Sequence, residues 1–205
     1  MKTINEYILE TATSFLGQKE KGNNAGFDNK EFQKRLEACG WERGQAWCAY
    51  FCELVYTEAY KRFAADNPTN KNIERVQQEL TALFSGGATD TYARFDRSTW
   101  STRNNLPVPG AMVVWRFGNG WIGHIAIVVE VSEKDNTITT IDGNSNNNGS
   151  REGNEVVRKV RKWKYPYSAK GLNIVGYIQP QNPDTYSREP FVMPNLNDKA
   201  ISVTY

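Results

Sequence analysis

Cysteine thiolates are strong nucleophiles, and this sequence holds three cysteines, at positions 39, 48 and 52. Cys48 lies in the first turn of a predicted helix, where unpaired backbone N–H groups and the helix dipole favour the thiolate over the thiol. Cys52 lies one turn further along that helix and Cys39 on the preceding one, and both are interpreted as core residues. We therefore predict that Cys48 attacks a carbonyl carbon.

A thiolate mechanism needs a base, and His124 is the only histidine in the chain. Catalytic zinc sites usually use two or three histidines, so no metal site and no cofactor are predicted. A serine nucleophile is not supported either, because the sequence has no Gly-x-Ser-x-Gly motif. His124 is therefore the predicted general base.

Two side chains could orient the His124 ring by accepting its second N–H. Alternation along the run that begins at His124 places it with Ala126 and Val128 on one face of a predicted strand. The next strand ends at Asp142 and Asn144, which share one side if that end stays extended. Either residue could hold the ring, and the sequence leaves the choice open.

Four helices are predicted in the first half of the chain from apolar residues at helical spacing and from cap signals. Thr3 is the predicted cap of the first helix, and Asp28 with Glu31 is interpreted as a capping box for the second. The predicted spans are 3–16, 28–40, 47–60 and 73–84. A polar, irregular stretch is expected from there to about Pro109.

After Pro109 the chain becomes rich in Val, Ile, Thr and Trp, separated by turn residues, which predicts the strands of an antiparallel meander. The predicted strands are 111–115, 122–131, 137–141, 155–163 and 172–178. Helices followed by strands indicate an α+β domain, with N-terminal helices packed on a C-terminal antiparallel sheet of about five or six strands. We expect this domain to span 1–178 and a Pro-rich extension to span 179–205.

Composition argues against some classes of partner and indicates the compartment in which the protein is made. A net charge of +2 gives no support for nucleic-acid binding, and no run of about eighteen apolar residues is present, so membrane insertion is not predicted. Residues 1–17 interleave Asn, Glu and Thr with apolar positions, which argues against a Sec signal. An odd number of cysteines cannot form a complete disulfide framework, and reduced thiols fit synthesis in the cytoplasm.

The motifs resemble those of the CHAP domain, the cysteine, histidine-dependent amidohydrolases and peptidases related distantly to papain. The resemblance spans about residues 17–178 and rests on Gly17 with Glu20 and Asn23, Gln45–Ala49, Pro109–Gly110, Gly123–Val128 and Asp142–Asn144. It implies a papain-like fold with Cys48 as nucleophile and His124 as base. It also matches Asp142 and Asn144 to the family's acid-x-Asn pair.

The resemblance also suggests subsidiary roles. The backbone N–H of Cys48 and the side chain of Gln45 are the expected oxyanion donors. Apart from the resemblance, Trp47 and Trp121 flank the motifs and could line a sugar- or peptide-binding groove, although aromatic residues in such positions are more often core residues. Calcium-binding members have an Asp-rich loop before the cysteine, whereas this chain has Glu42–Gln45, so no calcium is expected.

The resemblance implies hydrolysis of a peptidoglycan amide bond, either between muramic acid and L-alanine or within stem or cross-bridge peptides. Two alternatives stay open: a cysteine amidase or peptidase that attacks a non-wall amide as a toxin, and a catalytically silent domain that binds wall glycan. Without a Sec signal, we expect wall access by phage-type lysis or specialised secretion. An injected effector would be accompanied by a cognate immunity protein.

Overall fold

The computed structural model describes residues 2–103, 106–146 and 153–186. Within these residues, helices come first and strands follow, so the α+β prediction is confirmed. The helices are α1 (Ile4–Ser14), α2 (Lys30–Ala38), α3 (Cys48–Asp66), α4 (Ile73–Leu83) and α5 (Ala88–Asp96). The strands are β1 (Thr102–Arg103), β2 (Met112–Phe117), β3 (Gly123–Ser132), β4 (Thr137–Ser145), β5 (Glu155–Lys162) and β6 (Leu172–Ile178).

Cap residues in the sequence indicate where the first two helices begin, and one of the two predicted caps is wrong. Thr3 caps α1 through a reciprocal capping box with Glu6, as its side chain accepts from the Glu6 backbone and Glu6 accepts from Thr3. For α2 the predicted cap Asp28 is wrong. The cap is Asn29, whose side chain accepts from the backbone N–H groups of Glu31 and Phe32. Both residue types are good caps, and one residue of register separates them.

The sequence missed α5, which lies in the stretch expected to be irregular. The helix begins at Ala88 after Gly87 and lacks a side-chain cap, so the usual start signal is absent. Its buried residues Ala88, Thr91, Tyr92 and Phe95 do recur at helical spacing. That periodicity is the signal that could have revealed the helix.

The six strands lie in the order β1-β6-β2-β3-β4-β5, with every pair antiparallel. Strands β2 to β5 form the expected meander. The prediction is wrong for the last strand. A meander would place β6 beside β5, but β6 pairs with β2, toward the opposite edge of the sheet. The two-residue strand β1, which was not predicted, pairs with β6 at the edge.

The helices cover one face of the sheet in a single core, which buries Ile125 and Ile127 of β3. Alternate residues of the same strand, Ala126 and Val128, belong to a smaller cluster with Trp115 and Trp163. The alternation predicted for this strand is therefore confirmed. This second face is the one that carries the polar residues discussed below.

The start of the predicted C-terminal extension packs on the helices. Tyr60 donates to the Gln181 carbonyl at 2.6 Å, and Asn72 donates to the Pro183 carbonyl at 2.9 Å. Tyr186 is buried and its hydroxyl contacts Glu79. Residues 187–205 lie outside the described residues, so the boundary at 178 stays a prediction. Among the described helices, none is both long and apolar enough to cross a membrane.

Candidate active site

Cys48 is the first residue of α3, as predicted, and only 7% of its surface is exposed. Trp47 occupies the cap position but provides no side-chain hydrogen bond to the first turn. The N–H groups of that turn therefore lack a side-chain cap, which leaves the partial positive charge of the helix start available beside the thiol.

A glycine allows α3 to begin close to the sheet. A Cβ at Gly143 in β4 would lie 2.5 Å from the Phe51 Cβ and 2.8 Å from the Trp47 ring. Real Cβ contacts are essentially never that short, so a larger residue would push the helix away from β4. Gly143 thus brings the start of α3 against the strand that carries Asp142.

His124 is held on two sides at the start of β3. Its Nε2 lies 2.7 Å from Asp142 Oδ2, and its ring stacks on Trp115 at a centroid separation of 5.8 Å and an interplanar angle of 24°. Only 15% of the side chain is exposed. Because Nε2 faces Asp142, Nδ1 is the ring nitrogen left for the Cys48 thiol.

Asp142 is fully buried and accepts hydrogen bonds from three side chains. Arg161 contributes both guanidinium nitrogens, with Nη1 at 3.1 Å from Oδ1 and Nη2 at 2.5 Å from Oδ2. Thr140 donates to Oδ1 at 2.5 Å, while His124 occupies Oδ2. A two-point contact with a guanidinium is a strong, charge-assisted arrangement for a carboxylate.

These contacts set the protonation states of Asp142 and His124. Burial by itself raises the pKa of Asp142, but hydrogen bonds and the charges of Arg161 and His124 hold that pKa well below its ordinary value. Burial lowers the pKa of His124, yet its interactions with Asp142 and Cys48 outweigh burial and raise the pKa to about 9. At neutral pH the site therefore holds an aspartate facing an imidazolium.

Asn144 does not share this arrangement. The prediction that it lies on the same side as Asp142 required an extended strand end, but Asn144 has φ of 53° and the β4–β5 register shifts between Asp142 and Ser145. Among the described residues, Asn144 makes no hydrogen bond with His124, and its buried Oδ1 has no partner. Asp142 is thus the residue that contacts the imidazole.

A family model for the CHAP domain matches residues 40–144, just over half of the chain. The chain belongs to the CHAP family. No curated protein and no solved structure matches it. The family is one of peptidoglycan hydrolases of the amidase and peptidase type, and the matched residues include Cys48, His124 and Asp142.

Gln45, the predicted oxyanion donor of this CHAP domain, is exposed. Hydrogen bonds to its side-chain oxygen hold the amide in place. Oε1 accepts from the Tyr50 hydroxyl at 2.9 Å and from the Glu42 backbone at 3.2 Å. With Oε1 occupied, the amide Nε2 is the end that can donate, and it makes no hydrogen bond within the described residues. The oxyanion role of Gln45 stays a prediction.

The two predicted substrate-binding tryptophans differ in exposure. Trp47 is completely buried, packs against Phe27 and Phe51, and donates from Nε1 to Glu20 at 2.6 Å. A substrate cannot reach it, so that prediction is wrong, because the ring fills the core beneath the start of α3. Trp121 is 84% exposed, and its role stays a prediction.

Sequence reasoning missed the role of Arg161 in the CHAP site. The basic run 158–164 suggests a solvated strand face or an anionic-polymer contact, yet Arg161 turns inward to Asp142 and lies over the Trp115 ring at 4.9 Å. Arg161 is paired with Ile138, four residues along β4 from Asp142, so its long side chain spans the gap. Only the β4–β5 register reveals this contact.

The other two cysteines lack the environment of Cys48. Cys52 is fully buried, and burial raises its pKa well above the ordinary value. Burial also raises the pKa of Cys39, to about 12. All three thiols are free. Across 2–103, 106–146 and 153–186, no cluster of three or more potential metal ligands is found.

Proposed function

We propose that this CHAP protein hydrolyses an amide bond of peptidoglycan by nucleophilic attack of Cys48, with His124 as proton carrier. The observation that supports this most directly is the 2.7 Å contact between His124 Nε2 and the buried Asp142, which leaves Nδ1 for Cys48. A nucleophile, a base and a residue that orients the base are the three parts of a triad mechanism.

The first step forms an acyl-enzyme. The Cys48 sulfur attacks the carbonyl carbon, and the oxyanion is stabilised by the Cys48 backbone N–H, with Gln45 Nε2 as a second donor. The C–N bond then breaks while His124 Nδ1 gives its proton to the leaving amine. A His124 pKa of about 9 keeps that proton on the ring at neutral pH.

The second step releases the acid product. Once Cys48 is acylated, it no longer carries the negative charge that contributes to the raised pKa of His124. The neutral imidazole can then take a proton from water, which attacks the thioester. The C–S bond then breaks, the carboxylic acid leaves, and the Cys48 thiolate is restored beside the protonated imidazole. Asp142 holds the ring in the same orientation through both steps.

The target bond is either the muramoyl–L-alanine amide or a stem or cross-bridge peptide bond. Purified peptidoglycan should be digested with wild type, Cys48→Ala and the thiol control Cys39→Ala, and the fragments identified by mass spectrometry. We expect release by wild type and Cys39→Ala only. New L-alanine amino termini would indicate an amidase, and new termini inside the peptides an endopeptidase.

Retained activity in a folded Cys48→Ala protein would contradict the proposal. No release by the wild type from several wall types would favour a non-wall amide or a binding domain. We further propose that the protein reaches the wall by lysis-type release or specialised secretion.

A further inference from the structure

An exposed apolar surface lies at the end of the sheet where His124 begins β3. We call it the aromatic platform, and it consists of Phe117, Trp121, Tyr165, Tyr167 and Leu172. Exposed fractions are 84% for Trp121, 47% for Tyr167 and 44% for Phe117, with 38% each for Tyr165 and Leu172. Large side chains rarely cluster in water without a partner, so such a surface indicates a binding site.

The platform continues the face that carries the catalytic pair. Phe117 and Leu172 are partners across β2 and β6, and alternation places Phe117 on the same face as Trp115, which stacks on His124. Trp121 lies in the turn before β3, with two residues between it and His124. A molecule resting on these rings would therefore extend toward the reacting bond.

Hydrogen bonds fix the two loops that form the platform. Tyr167 donates to Asn119 at 2.8 Å, and the Gly118 N–H donates to the Gly171 carbonyl at 2.9 Å. A Cβ at Gly118 would lie 2.5 Å from the Ala169 carbonyl oxygen, so the loops are in close contact. Preformed rings lose little entropy when a ligand binds.

We propose that the aromatic platform binds the sugar rings of the peptidoglycan strand, next to the amide bond that is cut. This inference rests on the proposed function, which supplies the polymer. The platform side chains are uncharged, whereas stem peptides carry carboxylates, so the neutral rings match the glycan part. The C–H face of a pyranose packs flat on an indole or phenol ring, and the Asn119 amide and the Tyr167 hydroxyl lie nearby for the sugar hydroxyls.

The test measures binding without cleavage. Peptide-free glycan strands, which lack the bond to be cut, are titrated into wild type, Trp121→Ala, Tyr167→Ala and Val160→Ala by calorimetry. Val160 is 68% exposed on β5 and serves as the matched apolar control. We expect roughly five- to tenfold weaker binding for Trp121→Ala, a smaller loss for Tyr167→Ala and no change for Val160→Ala.

Equal binding by wild type and both platform variants, or no binding by wild type, would overturn the proposal. Binding of sugar-free stem peptides at the platform in place of glycan would overturn it as well. Because this measurement does not depend on cleavage, an inactive wild type that still binds glycan would contradict only the proposed function.

Discussion

Two buried carboxyl groups in this protein have opposite electrostatic environments. Asp142 lies at the candidate active site with a guanidinium and an imidazole against it, and its pKa is held well below the ordinary value. Glu53 lies on α3 beside a groove of about 440 Å³ next to α2 and forms no ion pair within the described residues. Burial raises the pKa of Glu53 to about 8.

Burial alone does not decide whether these two carboxyl groups are ionised. Both residues are more than nine-tenths buried, so removal from water alone would make both difficult to ionise. Asp142 stays charged because Arg161 offers a two-point contact and Thr140 supplies a further donor. The partners, and not the depth, distinguish a carboxylate that can orient a protonated imidazole from one that accepts a proton near neutral pH.

The largest expected effect comes from removing the charge of Asp142. Asp142→Asn should lower kcat/KM by roughly 10³- to 10⁴-fold, because a neutral amide replaces the carboxylate that stabilises the imidazolium and sets the orientation of the ring. The pKa of His124 should fall below about 9, because Asp142 no longer offsets the effect of burial and only the interaction with Cys48 still raises the pKa. The chain has one histidine, so its imidazole NMR signal reports this directly.

The exposed turn residue Asp135 offers a matched Asp→Asn control, which should change neither activity nor the titration of His124. A His124 titration that is unchanged in Asp142→Asn would contradict the assignment of Asp142 as the orienting residue.

The next effect concerns the partner of Asp142. Arg161→Met should reduce the free energy of unfolding at pH 7 by about 3 kcal/mol, because it leaves a buried carboxylate with only the imidazole as a charged partner. Urea unfolding measures the change. Arg158→Met, on the same strand with an exposed side chain, is the control and should alter stability by less than about 0.5 kcal/mol. Equal losses in both variants would remove the special role of Arg161.

The smallest effect tests the other carboxyl group. A folded-state pKa of about 8 for Glu53 means that its contribution to stability is present below its unfolded pKa and is lost as pH rises through 8. Glu53→Gln should therefore be more stable than wild type at pH 9, with little difference near pH 4. The full pKa shift would correspond to about 5 kcal/mol, but the groove admits water beside the carboxylate, so we expect about 2 kcal/mol. Urea unfolding measured between pH 4 and pH 9 gives the dependence of the free energy of unfolding on pH.

His124 also has a raised pKa, so its contribution is lost between about pH 6.5 and 9 in both proteins and cancels in the difference. Glu58→Gln on the same helix, where Glu58 lies 3.9 Å from Lys61, is the control. An identical pH slope in wild type and Glu53→Gln would show that Glu53 is already ionised in the folded state.

Much of the site was predictable because its signals are local. The position of Cys48 follows from the start of an apolar helix, and the face of His124 follows from alternation along one strand. The same reasoning predicted the α+β class and most element boundaries. It failed for α5, which lacks a cap signal, and for the cap of α2, where two adjacent residues are both suitable.

Tertiary structure decided what depends on register, packing and backbone twist. Asp142 contacts His124 and Asn144 does not because the backbone leaves the extended conformation at Asn144. Arg161 joins the site through the β4–β5 register, and Trp47 is withdrawn from solvent by the aromatic side chains around it. The residue types that can carry out the chemistry can be recognised in the sequence. Their contacts, however, form between segments that are far apart in sequence. The periodicity of one segment does not show which other segment will pack against it.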